Sequence, residues 1–197
     1  MPYIVAGDRL RNRIGHAGAM VREISAAGTL PQARNPQLPY RICIVCLGNI
    51  CRSPMGEVLL RDELRKAGLA GKVEVESAGT GDWHIGEAMD SRARAELSRR
   101  GYDGSRHEAR QIQASWLTEY DLLLAMDRAN LASLRRMAAG DTDLAGRIQL
   151  MLSFDPDAPD GAEVPDPYNG SPDDYAEVFE LVEAAARGLA SQLAARF

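Results

Sequence analysis

Residues 41–67 constrain the fold of this chain more than any other stretch. Arg41-Ile42-Cys43-Ile44-Val45-Cys46 is a short, nearly continuous apolar run, suited to a central strand covered on both faces. Gly48 permits a turn directly after it, and Ser53 and Pro54 offer an N-cap oxygen and a preset first helical residue. A helix carrying Met55, Val58, Leu59 and Leu64 is then expected to run until Gly68 stops it. Strand, tight turn and helix in that order form an anion site. Backbone N–H groups of the turn converge there, and the helix N-terminus adds unsatisfied donors and partial positive charge.

The remainder alternates short apolar runs with helix-period segments, as an α/β domain with a parallel sheet does. Val73 to Ser77 alternates Val and Glu like an edge strand and is broken by Gly79-Thr80-Gly81. Residues 88–100 form a helix ended by Gly101, Tyr120 to Met126 reads as a buried strand, and Ile148 to Leu152 as the fourth. Ser171, Pro172 and two acids open a last helix whose apolar residues, Tyr175 through Leu193, keep helical spacing. The expected architecture is a three-layer α/β/α sandwich with a central four-stranded parallel sheet and a phosphate-binding loop after the first strand. Residues 40–197 make this domain. Residues 1–39 hold five Arg against Asp8 and Glu23 and end in Pro31, Pro36 and Pro39, so they read as a flexible N-terminal extension.

Composition excludes several classes. The formal charge of -5 argues against nucleic acid as a partner, because that affinity needs clustered Lys and Arg. No apolar run approaches the ~18 residues of a membrane span, and the N-terminus lacks a secretory h-region. Cys43, Cys46 and Cys51 lie within nine residues, too close to staple a domain, so reduced thiols and a cytoplasmic location are expected. His16, His84 and His107 are the only histidines and no second Cys pair exists, so neither a metal site nor a cofactor is called for. The sequence assigns no oligomeric state.

Cys46 stands at the strand's end, where a helix N-terminus and a nearby Arg favour the thiolate, the nucleophilic form. Arg52 lies six positions on, and its planar fork suits two oxygens of one phosphate. Attack by sulfur would give a phosphocysteine.

The run Val45-Cys46-Leu47-Gly48-Asn49-Ile50-Cys51-Arg52-Ser53-Pro54-Met55 resembles the active-site signature of low-molecular-weight protein tyrosine phosphatases of the bacterial type. Ser77 to His84 resembles the family's substrate-rim loop, His107 to Ile112 its histidine motif, Met126-Asp127 its third-strand end, and Asp166-Pro167-Tyr168 its general-acid loop. The resemblance covers nearly all of residues 41–196. It implies a protein tyrosine phosphatase acting on phosphotyrosine proteins, with Cys46 as nucleophile, Arg52 as phosphate clamp and Asp166 as general acid and then base. Leu47, Gly48, Asn49, Ile50, Cys51 and Ser53 would hold the substrate phosphate, and Trp83 and Tyr168 would wall its ring. Ser77 and His107 would support the loop together with Asn49 and Ser53. Cys51 would be a redox partner of Cys46. Asn169 departs from the pattern, since many relatives carry a second Tyr there. Asp127 reads as a helix N-cap ahead of Arg128-Ala129-Asn130, with any catalytic part open.

Three rival readings are weaker. An arsenate reductase of the same fold needs further cysteines, and none follows Cys51. A protein-arginine phosphatase typically carries Thr where Ile50 stands. A phosphotyrosine-binding module would not need Cys46, Arg52 and Asp166 together.

Overall fold

The structure, a computed structural model, describes residues 28–197. Its order is β1 (Tyr40–Cys46), α1 (Arg52–Lys66), β2 (Val73–Gly79), α2 (Ser91–Arg99), β3 (Leu122–Ala125), α3 (Arg128–Met137), α4 (Thr142–Gly146), β4 (Ile148–Leu150) and α5 (Pro172–Arg196). Short 3-10 turns cover Ala114–Glu119 and Met151–Phe154. All strand pairs are parallel, in the order β2-β1-β3-β4. The expected four-stranded parallel sheet is therefore present, with β2 at one edge and β1 inside.

The period-two geometry of strands divides the core into two layers. Ile42, Ile44, Leu122 and Leu124 face α1 and α5, where Met55, Leu59, Val178, Val182 and Leu189 are buried against them. Cys43, Val45, Leu123 and Ala125 face the opposite way, onto Leu117, Leu134 and Leu144. Both faces of β1 are thus dry, and burial pushes the Cys43 thiol up to about 12, as fits a core residue.

Element ends differ from the sequence reading for identifiable reasons. The N-cap of α1 is Cys51 rather than Ser53, because the helix winds directly out of the loop. Ser53 is the second helical residue, and its hydroxyl is spent inward. The helix expected over 88–100 begins only at Ser91, where the Asp90 carboxylate accepts from the Arg92 N–H at 2.8 Å. β4 stops at Leu150 as the chain tightens, with the Ser153 hydroxyl donating to the Leu150 carbonyl at 2.7 Å. The Ser171 cap of α5 is as expected, completed by the Asp174 carboxylate, which accepts from the Ser171 N–H at 2.6 Å.

Most of the N-terminal extension, residues 1–27, lies outside the described residues. Residues 28–39 run along the β4 side of the domain. The Arg34 N–H donates to Asp121 at 2.6 Å, Arg147 donates to the Gln32 carbonyl at 2.9 Å, and Tyr40 and Arg196 both donate to the Pro31 carbonyl. Gln149 of β4 exchanges two hydrogen bonds with the Thr29 backbone, and the Gly28 N–H reaches the Ser153 carbonyl. Leu30 and Ala33 pack on the core. This segment is fastened beside the edge strand β4 through the Gln149 side chain rather than by pairing with the strand's backbone. A chain beginning at Tyr40 is expected to be less stable than one beginning at Gly28 by about 2–4 kcal/mol, from a few net hydrogen bonds of about 1 kcal/mol each. Thermal melting of the two chains measures the difference; equal midpoints would show that the segment contributes nothing.

Candidate active site

The site is built at the carboxyl ends of β1, β2 and β3, where Cys46, Gly79 and Met126 stand side by side. The Thr80 and Gly81 N–H groups donate to the Cys46 and Leu47 carbonyls, and the Met126 N–H donates to that of Val45. Gly79 is obligatory on steric grounds: a Cβ there would lie 2.7 Å from the Leu47 carbonyl oxygen and 3.1 Å from the Asn49 nitrogen, both backbone atoms. α1 lacks a side-chain cap, whereas Asp90, Asp127 and Asp141 cap α2, α3 and α4. Its first-turn donors thus face the loop.

Asn49 is the centre of the loop's hydrogen bonding. It is fully buried with φ 57, a left-handed conformation that Asn tolerates better than most residues. Its N–H points at Cys46 Sγ at 3.3 Å, and its amide nitrogen donates to the hydroxyls of Ser53 and Ser77, each at 2.9 Å. Its side-chain oxygen accepts from the Arg110 N–H, and its carbonyl accepts from His107 Nε2 at 2.6 Å. Burial holds His107 below the ordinary imidazole range, so the ring is neutral at pH 7 and serves as a donor to the loop. Ser53 Oγ lies 3.0 Å from Cys46 Sγ, placing a hydroxyl beside the sulfur.

Arg52 is almost fully buried between two carboxylates. Its Nη1 donates to Asp127 Oδ2 at 2.7 Å and to the Val164 carbonyl at 3.2 Å, while Nη2 donates to Asp166 Oδ2 at 2.7 Å. The other oxygen of Asp166 accepts from the Tyr168 N–H. Cys46, Leu47, Gly48, Ile50, Cys51, Arg52, Trp83, His84, Asp166, Tyr168 and Asn169 line one pocket of about 260 Å³. That is slightly below the small end of ligand pockets, about 300 Å³, and so of a size for one side chain. Leu47, Trp83 and Tyr168 are exposed at its mouth. Arg92 sits over the rings of both Tyr168 and Tyr175. Cys51 Sγ lies 3.7 Å from the Tyr175 hydroxyl, and burial pushes this thiol up to about 12. Among the described residues no group of side chains could hold a metal ion.

A model of the family described as low molecular weight phosphotyrosine protein phosphatase matches residues 41–196. The chain belongs to that family. A low molecular weight protein-tyrosine-phosphatase from Streptomyces coelicolor is 48% identical over 77% of this chain and 92% of its own length. Low molecular weight protein-tyrosine phosphatase A from Mycobacterium tuberculosis is 42% identical over 77% of this chain and 90% of its own. The crystal structure of YfkJ from Bacillus subtilis is 37% identical, covers 80% of this chain and 96% of its own, and superposes with a TM-score of 0.74.

The residues expected from sequence to act on, hold or support the substrate fall in two connected groups. Cys46, Leu47, Gly48, Ile50, Cys51, Arg52, Trp83, Asp166 and Tyr168 line the pocket, and Asn49, Ser53, Ser77 and His107 form the hydrogen-bonded frame beneath it. Asp127 caps α3, accepting from the Asn130 N–H, and with its second oxygen also anchors Arg52. Sequence reasoning reached only the first of these. It also missed Glu57, whose carboxylate accepts from the Ser77 hydroxyl at 2.5 Å and pairs with Arg61 at 2.7 Å. It placed His84 in the rim loop and Arg110 in the histidine motif without giving either a role of its own, and it missed the support Arg92. Glu57 and Arg61, four apart on α1, were the one available signal.

Asn49→Ala should remove three buried side-chain hydrogen bonds, costing about 2–4 kcal/mol, and loosen the loop enough to lower turnover ~100-fold. Asn49→Gly relieves the left-handed backbone but not the lost bonds, so it should be the more stable variant and nearly as inactive. Urea denaturation and turnover of p-nitrophenyl phosphate test this; a fully active Asn49→Gly would show that only the backbone conformation matters.

Proposed function

We propose that this family member hydrolyses phosphotyrosine in proteins through a phosphocysteine intermediate. The observation that carries the reading is the meeting of Cys46, Arg52 and Asp166 in one pocket with Trp83 and Tyr168 at its mouth. In the first step Cys46 Sγ attacks phosphorus and the bond to the tyrosyl oxygen breaks, with Asp166 giving its proton to that oxygen. In the second, Asp166 takes a proton from water, the water oxygen attacks phosphorus, and the S–P bond breaks to release phosphate and the thiolate. Arg52 grips the phosphoryl oxygens through both steps.

The ion pair between Arg52 and Asp166 gives substrate entry a second effect. An arriving dianion competes with Asp166 for Nη2, and once freed, the carboxyl faces a neighbouring negative charge. The released carboxyl is then free to turn toward the leaving oxygen. Asp127 and the Val164 carbonyl keep the guanidinium in place during the exchange. Ile50 lines the pocket with hydrocarbon, which supports a tyrosyl ring over a guanidinium as the group carrying the phosphate. The three cysteines are free thiols, and no helix among the described residues is long and apolar enough to cross a membrane. Three thiols that stay free although they lie within nine residues suit a reducing compartment, and on that ground we place the enzyme and its phosphoprotein substrates in the cytoplasm.

Cys46→Ser should abolish hydrolysis of p-nitrophenyl phosphate while the fold survives. Asp166→Asn should slow release of high-pKa phenols by 10²–10⁴-fold, the usual worth of a general acid. Phosphotyrosine peptides should be turned over faster than phosphoarginine peptides; the reverse order would overturn the substrate reading.

Reversible oxidation belongs to the same proposal. Cys51 lines the pocket beside Cys46 and supports a disulfide between them, although a thiol pushed up to about 12 attacks slowly. Peroxide-inactivated wild type should regain activity with a dithiol, and Cys51→Ser should regain less. Equal recovery would remove Cys51 from the cycle.

A further inference from the structure

A second groove opens from the mouth of the catalytic pocket and shares two of its walls, Leu47 and Trp83. It continues past Thr80 and Gly81 to Ser133, Arg136 and Met137 on α3. Its lining contains one charged residue, Arg136. Most of the described arginines of this acidic chain are tied to carboxylates, Arg41, Arg61, Arg99, Arg100 and Arg147 among them. Arg136 is one of the described arginines with no carboxylate partner among the described residues: it donates to the Ser133 hydroxyl at 2.9 Å and stands at an exposed position. α3 itself reads Arg-Ala-Asn-Leu-Ala-Ser-Leu-Arg-Arg-Met, with three Arg and no acid along its length.

The wall between pocket and groove is apolar and unusually open. Leu47 is 45% and Trp83 69% exposed, and exposed aromatic surface next to a recognition pocket is a common mark of a polypeptide contact. A phosphotyrosine seated over Cys46 would lead its own chain out across Leu47 and Trp83. The next side chains of that polypeptide then fall within reach of Arg136. The overall charge of -5 repels an acidic partner at long range, but screening over about 8 Å at physiological salt leaves the nearest charge dominant.

We infer that the groove from Leu47 to Arg136 is a specificity subsite for an acidic residue flanking the phosphotyrosine of the substrate protein. Trp83 and Leu47 carry the peptide backbone, and Arg136 pairs with an Asp or Glu side chain. This rests on the phosphotyrosine reading given above and adds to it a preference among phosphoproteins. The preference belongs to an exposed charge pair, so it is modest, on the order of 3–10-fold, and falls with salt.

The test compares kcat/KM on three phosphotyrosine peptides of one length, with Glu, Gln or Lys at the two positions on each side of the phosphotyrosine. Each value is divided by that of the same protein on p-nitrophenyl phosphate. Wild type should favour the Glu peptide over the Gln peptide 3–10-fold at low salt. Arg136→Gln should bring the ratio within about twofold, Arg136→Lys should keep most of it, and Arg136→Glu should favour the Lys peptide. Hydrolysis of all three peptides without an acidic preference, or a preference that survives in Arg136→Gln, overturns the subsite alone. Failure to hydrolyse any of the three, with phosphoarginine peptides cleaved instead, overturns the substrate reading and the subsite together.

Discussion

Everything at this site depends on how one backbone turn is held. Asn49 places the loop after β1 in a left-handed conformation, and its groups reach Cys46, Ser53, Ser77, His107 and Arg110, which come from four separate stretches of chain. Ser77 passes the network on to Glu57 and Arg61. Cys46, Asn49, Ser53 and Ser77 at its centre are buried, and each is satisfied through the others, while Glu57, His107 and Arg110 close the set at its half-buried margin. A buried polar network of this kind rigidifies when complete and is costly when one member is lost. The Cys46 sulfur is positioned by hydroxyl, amide and neutral imidazole groups, so the positive charge of the pocket comes from elsewhere.

That charge is concentrated in Arg52. A cation almost without solvent needs anionic partners, and it has two, with different further attachments. Asp127 is fixed by its place at the start of α3, whereas Asp166 belongs to a loop and its side chain is two-fifths exposed. The pair is therefore asymmetric: one carboxylate anchors the guanidinium and the other can be exchanged for a ligand oxygen.

The architecture and pocket lining were largely legible because they follow from local signals. β1 is a continuous apolar run and α5 an uninterrupted helical stripe, while the loop between β1 and α1 carries a dense motif. What was not legible depends on tertiary placement. Ser53 looked like a cap because a capping hydroxyl and one turned inward on a sulfur share one chemistry; only the path of α1 shows that it lies beside Cys46. Asp127 showed its capping role in its neighbours but not its bond to Arg52, since the two are 75 positions apart. Residues 28–39 looked like a tail because Pro31, Pro36 and Pro39 interrupt them and no helical or strand period runs through them. Their attachments are mainly backbone carbonyls and N–H groups, which leave no trace in residue identity.

The inner position of β1 has a further consequence for where motion is possible. The strand that ends in Cys46 is hydrogen-bonded along both sides and covered on both faces, so its amides can exchange with solvent only when much of the domain opens. The groups that surround a substrate ring come instead from rim loops: Trp83 and His84 follow the edge strand β2, and Tyr168 precedes α5. The molecule thus sets the sulfur on its most enclosed strand, while the pocket's mouth is built from segments outside the sheet.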